Sequence, residues 1–212
     1  MRSTTDRRPP NRSDARRDAI LSALDQWLRE TTLDDVNIAH IAQQAGVTRS
    51  AFYFYFENKA AAVAALMERI VDETFVVNDT FTAMRQPPPA RVRAMLDGLF
   101  DTWERHRHLF SAMLEARGSS ASVRHIWDSA REAFVDSIAA MIRADRAAGV
   151  APAGADAEVL ATVLLEFNDR LLERLTLGGT LTPAQLLDGA AAVWLGAIYG
   201  INTAPDRSQE LA

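Results

Sequence analysis

The chain contains no cysteine. Disulfides, thiolate nucleophiles, iron–sulfur clusters and cysteine zinc sites are therefore excluded together. Lysine is almost as scarce: Lys59 is the single one, and arginine supplies the remaining basic side chains. No apolar run approaches the roughly 18 residues that a membrane span requires, so no membrane partner is expected. The opening MRSTTDRRPPNRSDARRD has no apolar segment after its arginines, so no secretory signal is expected either and the expected location is the cytoplasm. Strand signals are nearly missing, with no alternating Val/Ile/Thr runs between tight turns. What is present, 48% apolar and 24% charged residues over 212 positions, is the balance of an ordinary globular chain of one or two domains.

A net charge of −5 argues at first sight against a nucleic-acid partner. Its distribution argues the other way. Residues 1–17 carry six arginines (2, 7, 8, 12, 16 and 17) against Asp6 and Asp14. Residues 1–60 hold nine basic and eight acidic groups, whereas residues 61–212 hold fourteen and twenty. The acid lies in the larger part of the chain, and the first sixty residues are slightly basic. Such asymmetry suits a nucleic-acid-facing end on an acidic body, although an arginine tail can also be a solvated terminus.

Helical periodicity runs throughout. Ile20, Leu21, Leu24, Trp27 and Leu28 mark one face of a helix over about 13–30, with Ser13 as its expected N-cap. Short helices are expected over 37–45 and 48–54, then a long one from near Asn58 towards Phe81. Pro87-Pro88-Pro89 marks a connection. Beyond it, helices are expected over 91–106, 108–117, 121–148, 156–177 and 183–199, with Thr182 as a cap and Pro183 in the first turn of the last. The expected fold is all-α, a three-helix DNA-binding module followed by a six-helix ligand-binding and dimerisation bundle. Its boundaries fall as a flexible arginine-rich tail (1–12), a helix-turn-helix domain (13–56), the bundle (57–203) and a short tail (204–212).

A helix of about eight residues, a glycine turn and a second short helix form the helix-turn-helix pattern. Gly46 can adopt the left-handed backbone of the sharp turn, Ala42 lets the helices cross closely, and Thr48 can cap the second helix. Thr48, Arg49 and Ser50 then form the first turn of the helix that enters a major groove, where Arg49 can meet guanine or a phosphate. The run FYFYF cannot all be buried, because successive helix residues point about 100° apart. Phe52 and Phe56 are assigned to the core, and Tyr53 and Tyr55 to phosphate contact through their hydroxyls. Asn37 and Lys59 begin helices, where free backbone N–H groups favour a phosphate.

The stretch N-I-A-H-I-A-Q-Q-A-G-V-T-R-S-A-F-Y-F-Y-F-E-N-K resembles the helix-turn-helix signature of the TetR family of repressors. The FYFYF version, with F-N-D-R-L-L-E and W-L-G-A-I-Y-G near the far end, is similar to an actinobacterial branch concerned with ethionamide activation. The resemblance implies a homodimer, formed through the last two helices, that represses a promoter through a palindromic operator of double-stranded DNA. It also implies release by a small apolar or amphiphilic effector that enters the C-terminal bundle.

The bundle is rich in methionine and aromatics at helical spacing. Met95, Leu99 and Trp103 recur on one helix and Phe110 lies on the next. Trp127, Phe134, Ile138 and Met141 share a face of the long helix, Leu165 and Asn168 a face of the following one, and Trp194 lies on the last. On the residues alone, ordinary core and a ligand pocket both remain open; the resemblance favours the pocket. Asn168 needs a partner, either a ligand carbonyl or a neighbouring helix. The resembled branch has a second asparagine where Leu165 stands, a departure that implies a less polar ligand.

Enzyme readings find no support. The four histidines (40, 106, 108 and 125) have no zinc spacing, and no nucleophile elbow, P-loop or dinucleotide fingerprint is present. Neither catalytic residue nor cofactor nor metal site is expected. The competing reading is an all-helical carrier or scaffold of apolar ligands with a vestigial helix-turn-helix.

Overall fold

The computed structural model describes residues 12–83 and 86–201, with side chains over 14–72 and 86–201. The expected tails lie outside these residues except for Arg12, which already belongs to the first helix; Ser13 is therefore inside that helix and not its cap. The described residues form nine helices and no strand, the all-α arrangement expected. A head contains α1 (Arg12–Leu28), α2 (Ile38–Gln44) and α3 (Arg49–Tyr55). A body contains α4 (Lys59–Ala83), α5 (Pro88–Arg105), α6 (Arg107–Arg117), α7 (Ala121–Ala147), α8 (Ala157–Leu177) and α9 (Pro183–Tyr199). None of these helices is long and apolar enough to cross a membrane.

Local chemistry sets the ends of these helices. The Asn37 side chain accepts from Ala39 N at the start of α2, and Thr48 accepts from Ala51 N at the start of α3. Between them Gly46 takes φ +65, and Val47 N returns to Ala42 O at 2.9 Å, closing the turn. The three prolines behave differently from expectation. Pro88 and Pro89 open α5 instead of merely separating helices, because first-turn N–H groups have no helical partner to lose. His106 closes α5 and opens α6, so the chain bends there without a loop. Thr182 and Gln185 form a reciprocal capping box on α9.

Phe52 is fully buried in the core cluster that includes Ile20, Leu21, Leu24 and Ile41, and Phe56 packs beside it at 5.8 Å. Truncating such a phenylalanine costs about 3–5 kcal/mol, so Phe52 and Phe56, the two ends of the FYFYF run, serve the head's core. Trp27 stacks on His40 at 5.4 Å, tying α1 to α2.

In the body, α4 packs against α5, α6 and α7, and α7 lies along α8. Arg91, buried on α5, donates to Asp145 of α7 and to the hydroxyl of Tyr199 at the end of α9. Burial and the neighbouring Asp145 carboxylate push that phenol up to about 12, so it stays protonated and donates to Asp145 at 2.7 Å.

Head and body meet along α1 and the α1–α2 loop. Glu115 of α6 accepts from the backbone N–H groups of Leu33 (2.9 Å) and Asp34 (3.4 Å). His108, also on α6, bonds Asp25 of α1 at 2.8 Å, and this bond holds the Asp25 carboxyl below its ordinary range. Arg69 of α4 pairs with Asp18 of α1 at 2.7 Å.

Candidate nucleic-acid interface and effector cavity

Helix α3 turns its core face, Phe52, inward, so its opposite side is free. Helical geometry places Ser50 and Phe54 on that outer side and Tyr53 on its flank, with Arg49 exposed in the first turn. Ser50 and Arg49 are exposed, Tyr53 is 45% exposed and Phe54 79%. The Arg49 guanidinium lies 5.8 Å from the centre of the Tyr53 ring, and no carboxylate pairs with it among the described residues. Its charge is available to a phosphate or a base edge. Thr48 and Asn37 stand at the N-termini of α3 and α2, each using its side-chain oxygen as a cap.

Two expected contacts are placed differently. Tyr55 is half-buried, packs against the head's core and meets Phe54 edge-on at 5.1 Å, on the far flank of α3 from Arg49. Lys59 is at the start of α4 as expected, but its ammonium does not face outward. It donates to the carbonyls of Leu33 (2.6 Å), Asp34 (2.9 Å) and Val36 (3.1 Å). An ammonium has three N–H donors, and all three are used on the α1–α2 loop. The residue singled out by being the sole lysine is a clasp for the head. Phe54, passed over because one aromatic of a run is hard to distinguish from the next, is the most exposed of the five that have described side chains.

Inside the body lies a cavity of about 110 Å³, bounded by α4 to α9. Met95 and Leu99 of α5, Phe110 of α6, and Trp127, Phe134 and Ile138 of α7 line it. Leu165 and Asn168 of α8 and Trp194 of α9 complete the expected wall. Trp103 and Met141 do not reach it. The Trp103 ring is buried, its indole N–H donates to Thr176 Oγ1 at 3.0 Å, and Arg107 covers it at 5.4 Å. One turn past Leu99, it has left the cavity for the end of α8. Met141, nearly a turn past Ile138, is in close-packed core.

Asn168 is 5% exposed, and its Oδ1 accepts from the Trp194 indole N–H at 3.1 Å. The carbonyl half of the amide thus satisfies a neighbouring helix. The amino half meets no acceptor among the described residues and borders the cavity.

The helical faces also bring side chains that the apolar pattern passed over. Arg131, one turn from Trp127, and Asp169, one turn from Leu165, both reach the cavity wall. Their spacing carries the signal, since +4 steps from wall residues stay on the wall, but polar types add nothing to an apolar periodicity. Asp169 Oδ2 accepts from Trp127 Nε1 at 3.0 Å and from Arg131 at 2.8 Å. Burial outweighs these donors and pushes the Asp169 carboxyl up to about 6. Helix α4 contributes Met67, Ile70 and Val71 to the same cavity. No group of three or more His, Asp or Glu side chains that could hold a metal occurs among the described residues.

This geometry is matched by known proteins. Residues 20–66 match the family described as bacterial regulatory proteins, tetR family, and residues 92–200 match the C-terminal domain of the transcriptional regulator EthR. The chain is 31% identical over 194 residues to the HTH-type transcriptional regulator EthR of Mycobacterium tuberculosis, covering 89% of each protein. Identity to EthR of Mycolicibacterium smegmatis is 28%, with 88% of each covered. Among solved structures, the fatty acid degradation regulator FadR from Bacillus halodurans shares the fold, with a TM-score of 0.67 at 16% identity over 90% of this chain and 97% of that one. The exposed reading helix, the cavity behind it and these matches lead to one statement: the chain belongs to the TetR family of bacterial transcriptional regulators and carries an EthR-type C-terminal domain.

Proposed function

We propose that the protein is a ligand-released repressor. Its head, residues 13–56, reads a palindromic operator, and its body, residues 57–203, takes up a small apolar or amphiphilic effector. Arg49, Ser50, Tyr53 and Phe54 read the major groove, with Asn37 and Thr48 presenting helix N-termini to phosphates. Two copies pair through α8 and α9, where Val159, Val163, Leu177 and Val193, with Leu181 in the segment between the helices, are exposed apolar groups on a single copy. Most of the other leucines of these helices, Leu164, Leu171, Leu172, Leu175, Leu187 and Leu195, are buried within the subunit itself. A two-fold pair sets two α3 helices against two half-sites.

One observation carries this reading: the helices that line the cavity also hold the head. Helix α4 puts Met67, Ile70 and Val71 on the cavity and Lys59 on the α1–α2 loop. Helix α6 puts Phe110 on the cavity and His108 and Glu115 on the head. The cavity of about 110 Å³ is smaller than the roughly 150 Å³ that houses benzene in an engineered protein core, so a longer effector must spread these helices. Spreading them moves the head.

The test is fluorescence anisotropy on labelled DNA from upstream of the gene, repeated over a range of salt and with 1-octanol as a minimal apolar probe. Binding that weakens steeply with salt, saturates at a dimer per site and is reversed by octanol is expected. Absence of binding at low salt would sink the regulator reading in favour of a carrier. Binding that octanol leaves untouched would sink the release.

A further inference from the structure

Apart from the neutral Thr102 and Asn168, the cavity is apolar except where Arg131 and Asp169 reach its wall at the seam of α7 and α8. Both side chains, with Trp127, also line an open cleft on the outside of that seam. Cavity and cleft therefore share three side chains, which stand between water and the apolar interior.

Among the described residues, the one cation of the cavity wall is saturated. Arg131 meets Asp169 at 2.8 Å, Glu166 at 3.1 Å and Asp128 at 3.3 Å. One guanidinium serves three carboxylates through Nη2, Nε and Nη1, so its donors are already taken when a further anion arrives. The other arginines of the cleft are engaged elsewhere. Arg117 and Arg170 both bond Glu173, at 3.4 and 2.7 Å, and Arg124 donates to the carbonyls of Arg117 and Gly118. None of those groups lines the cavity.

Asp169 itself is incompletely satisfied. Trp127 and Arg131 both donate to Oδ2, and Oδ1 has no partner among the described residues. The side chain is 21% exposed, and a partly buried carboxylate with an open oxygen beside an apolar wall favours a cation or a proton; this carboxyl already holds its proton to about pH 6. Beside it the Trp127 ring packs edge-on against Phe110 at 5.8 Å, and aromatic faces attract cations.

We propose that the effector is an amphiphilic cation, with its apolar tail in the cavity and its protonated amine on Asp169 Oδ1 beside the Trp127 ring. This rests on the effector-cavity reading above and narrows it to a chemical class. A neutral amphiphile gains the apolar contact alone. An anionic one meets the Asp169 carboxylate and finds the Arg131 donors already taken.

The experiment compares octylammonium, 1-octanol and octanoate on the full-length wild-type protein by calorimetry at about pH 8, where the Asp169 carboxyl is ionised. The three share a tail and differ in head charge, and the amine is protonated at that pH. Octylammonium is expected to bind about ten- to hundredfold more tightly than octanol, the range of one charge-assisted hydrogen bond, with octanoate weakest. Asp169→Asn is expected to erase the difference between octylammonium and octanol, and Glu166→Gln, on an exposed side chain that risks no misfolding, to reduce it. Equal binding of octylammonium and octanol, tighter binding of octanoate, or an unchanged preference in Asp169→Asn would overturn the proposal. If octanol binds without charge discrimination, the cation assignment alone falls. If none of the three binds, the effector-cavity reading falls with it.

Discussion

Replacing Lys59 with methionine separates a clasp from a phosphate contact. Methionine keeps most of the apolar stem and removes the three donors that now meet Leu33, Asp34 and Val36. Each hydrogen bond from a charged group is worth about 1.5–3 kcal/mol when buried. Here the Asp34 carbonyl is exposed and the other two only partly buried, so water replaces much of the loss. A net cost of about 2–4 kcal/mol follows, which in a chain of this size lowers Tm by roughly 5 to 15 °C. Circular dichroism melting measures that shift, and anisotropy on operator DNA at several salt concentrations measures the rest. For a clasp, affinity per folded molecule changes modestly and the salt slope stays the same. For a phosphate contact, Tm stays and the slope falls by about 0.9. An unaltered Tm with a reduced slope would refute the assignment of Lys59 to the loop.

Other expectations follow from the same geometry. Phe54→Ala should leave Tm within about 1 °C of wild type, because an exposed ring contributes little to folding, while operator affinity measured by anisotropy falls about tenfold if the ring meets bases. Leu165→Trp fills the cavity and should abolish octanol binding by calorimetry while operator binding persists; retained octanol binding would place the effector elsewhere. Folding moves the Asp169 carboxyl from 3.8 to about 6. Between those pH values the native chain keeps a proton that the unfolded chain has released, so this group's contribution to stability falls as pH rises through the window and is flat above it. The whole drop is no more than about 3 kcal/mol at about 1.4 kcal/mol per pH unit. Urea titrations across that range should show the drop in wild type and lose it in Asp169→Asn.

The architecture was legible wherever it depends on local chemistry. Gly46, Thr48 and the apolar spacing of Ile20, Leu21 and Leu24 specify the head, since caps, turns and faces are short-range properties. The roles of Phe52 and Phe56 follow from the angle between helix residues. Long-range partners were not legible. Nothing near Lys59 says that three carbonyls more than twenty residues upstream will absorb its ammonium. Trp103 lies in register with Met95 and Leu99, and only the position of Thr176 on another helix shows that its indole turns away. Arg131 and Asp169 lay on the selected faces but are polar, and their pairing across the α7–α8 seam converts two unpromising types into the polar end of an apolar cavity. The pairing of Asn168 with Trp194 was one of two alternatives, and the amide serves it with one half while leaving the other to the cavity.

The α1–α2 loop is gripped from both sides through its main chain: Lys59 holds its carbonyls, and Glu115 holds the N–H groups of Leu33 and Asp34. Backbone groups are alike at nearly every position, so this part of the linkage is indifferent to which side chains the loop carries. Residues 34 and 35 can therefore vary while the joint keeps its geometry, and the face that reads DNA can diverge without rebuilding the connection to the sensor behind it. A grafted head from a related regulator would need to preserve the loop's length and path, the buried Leu33 and Val36, and partners for His108 and Arg69.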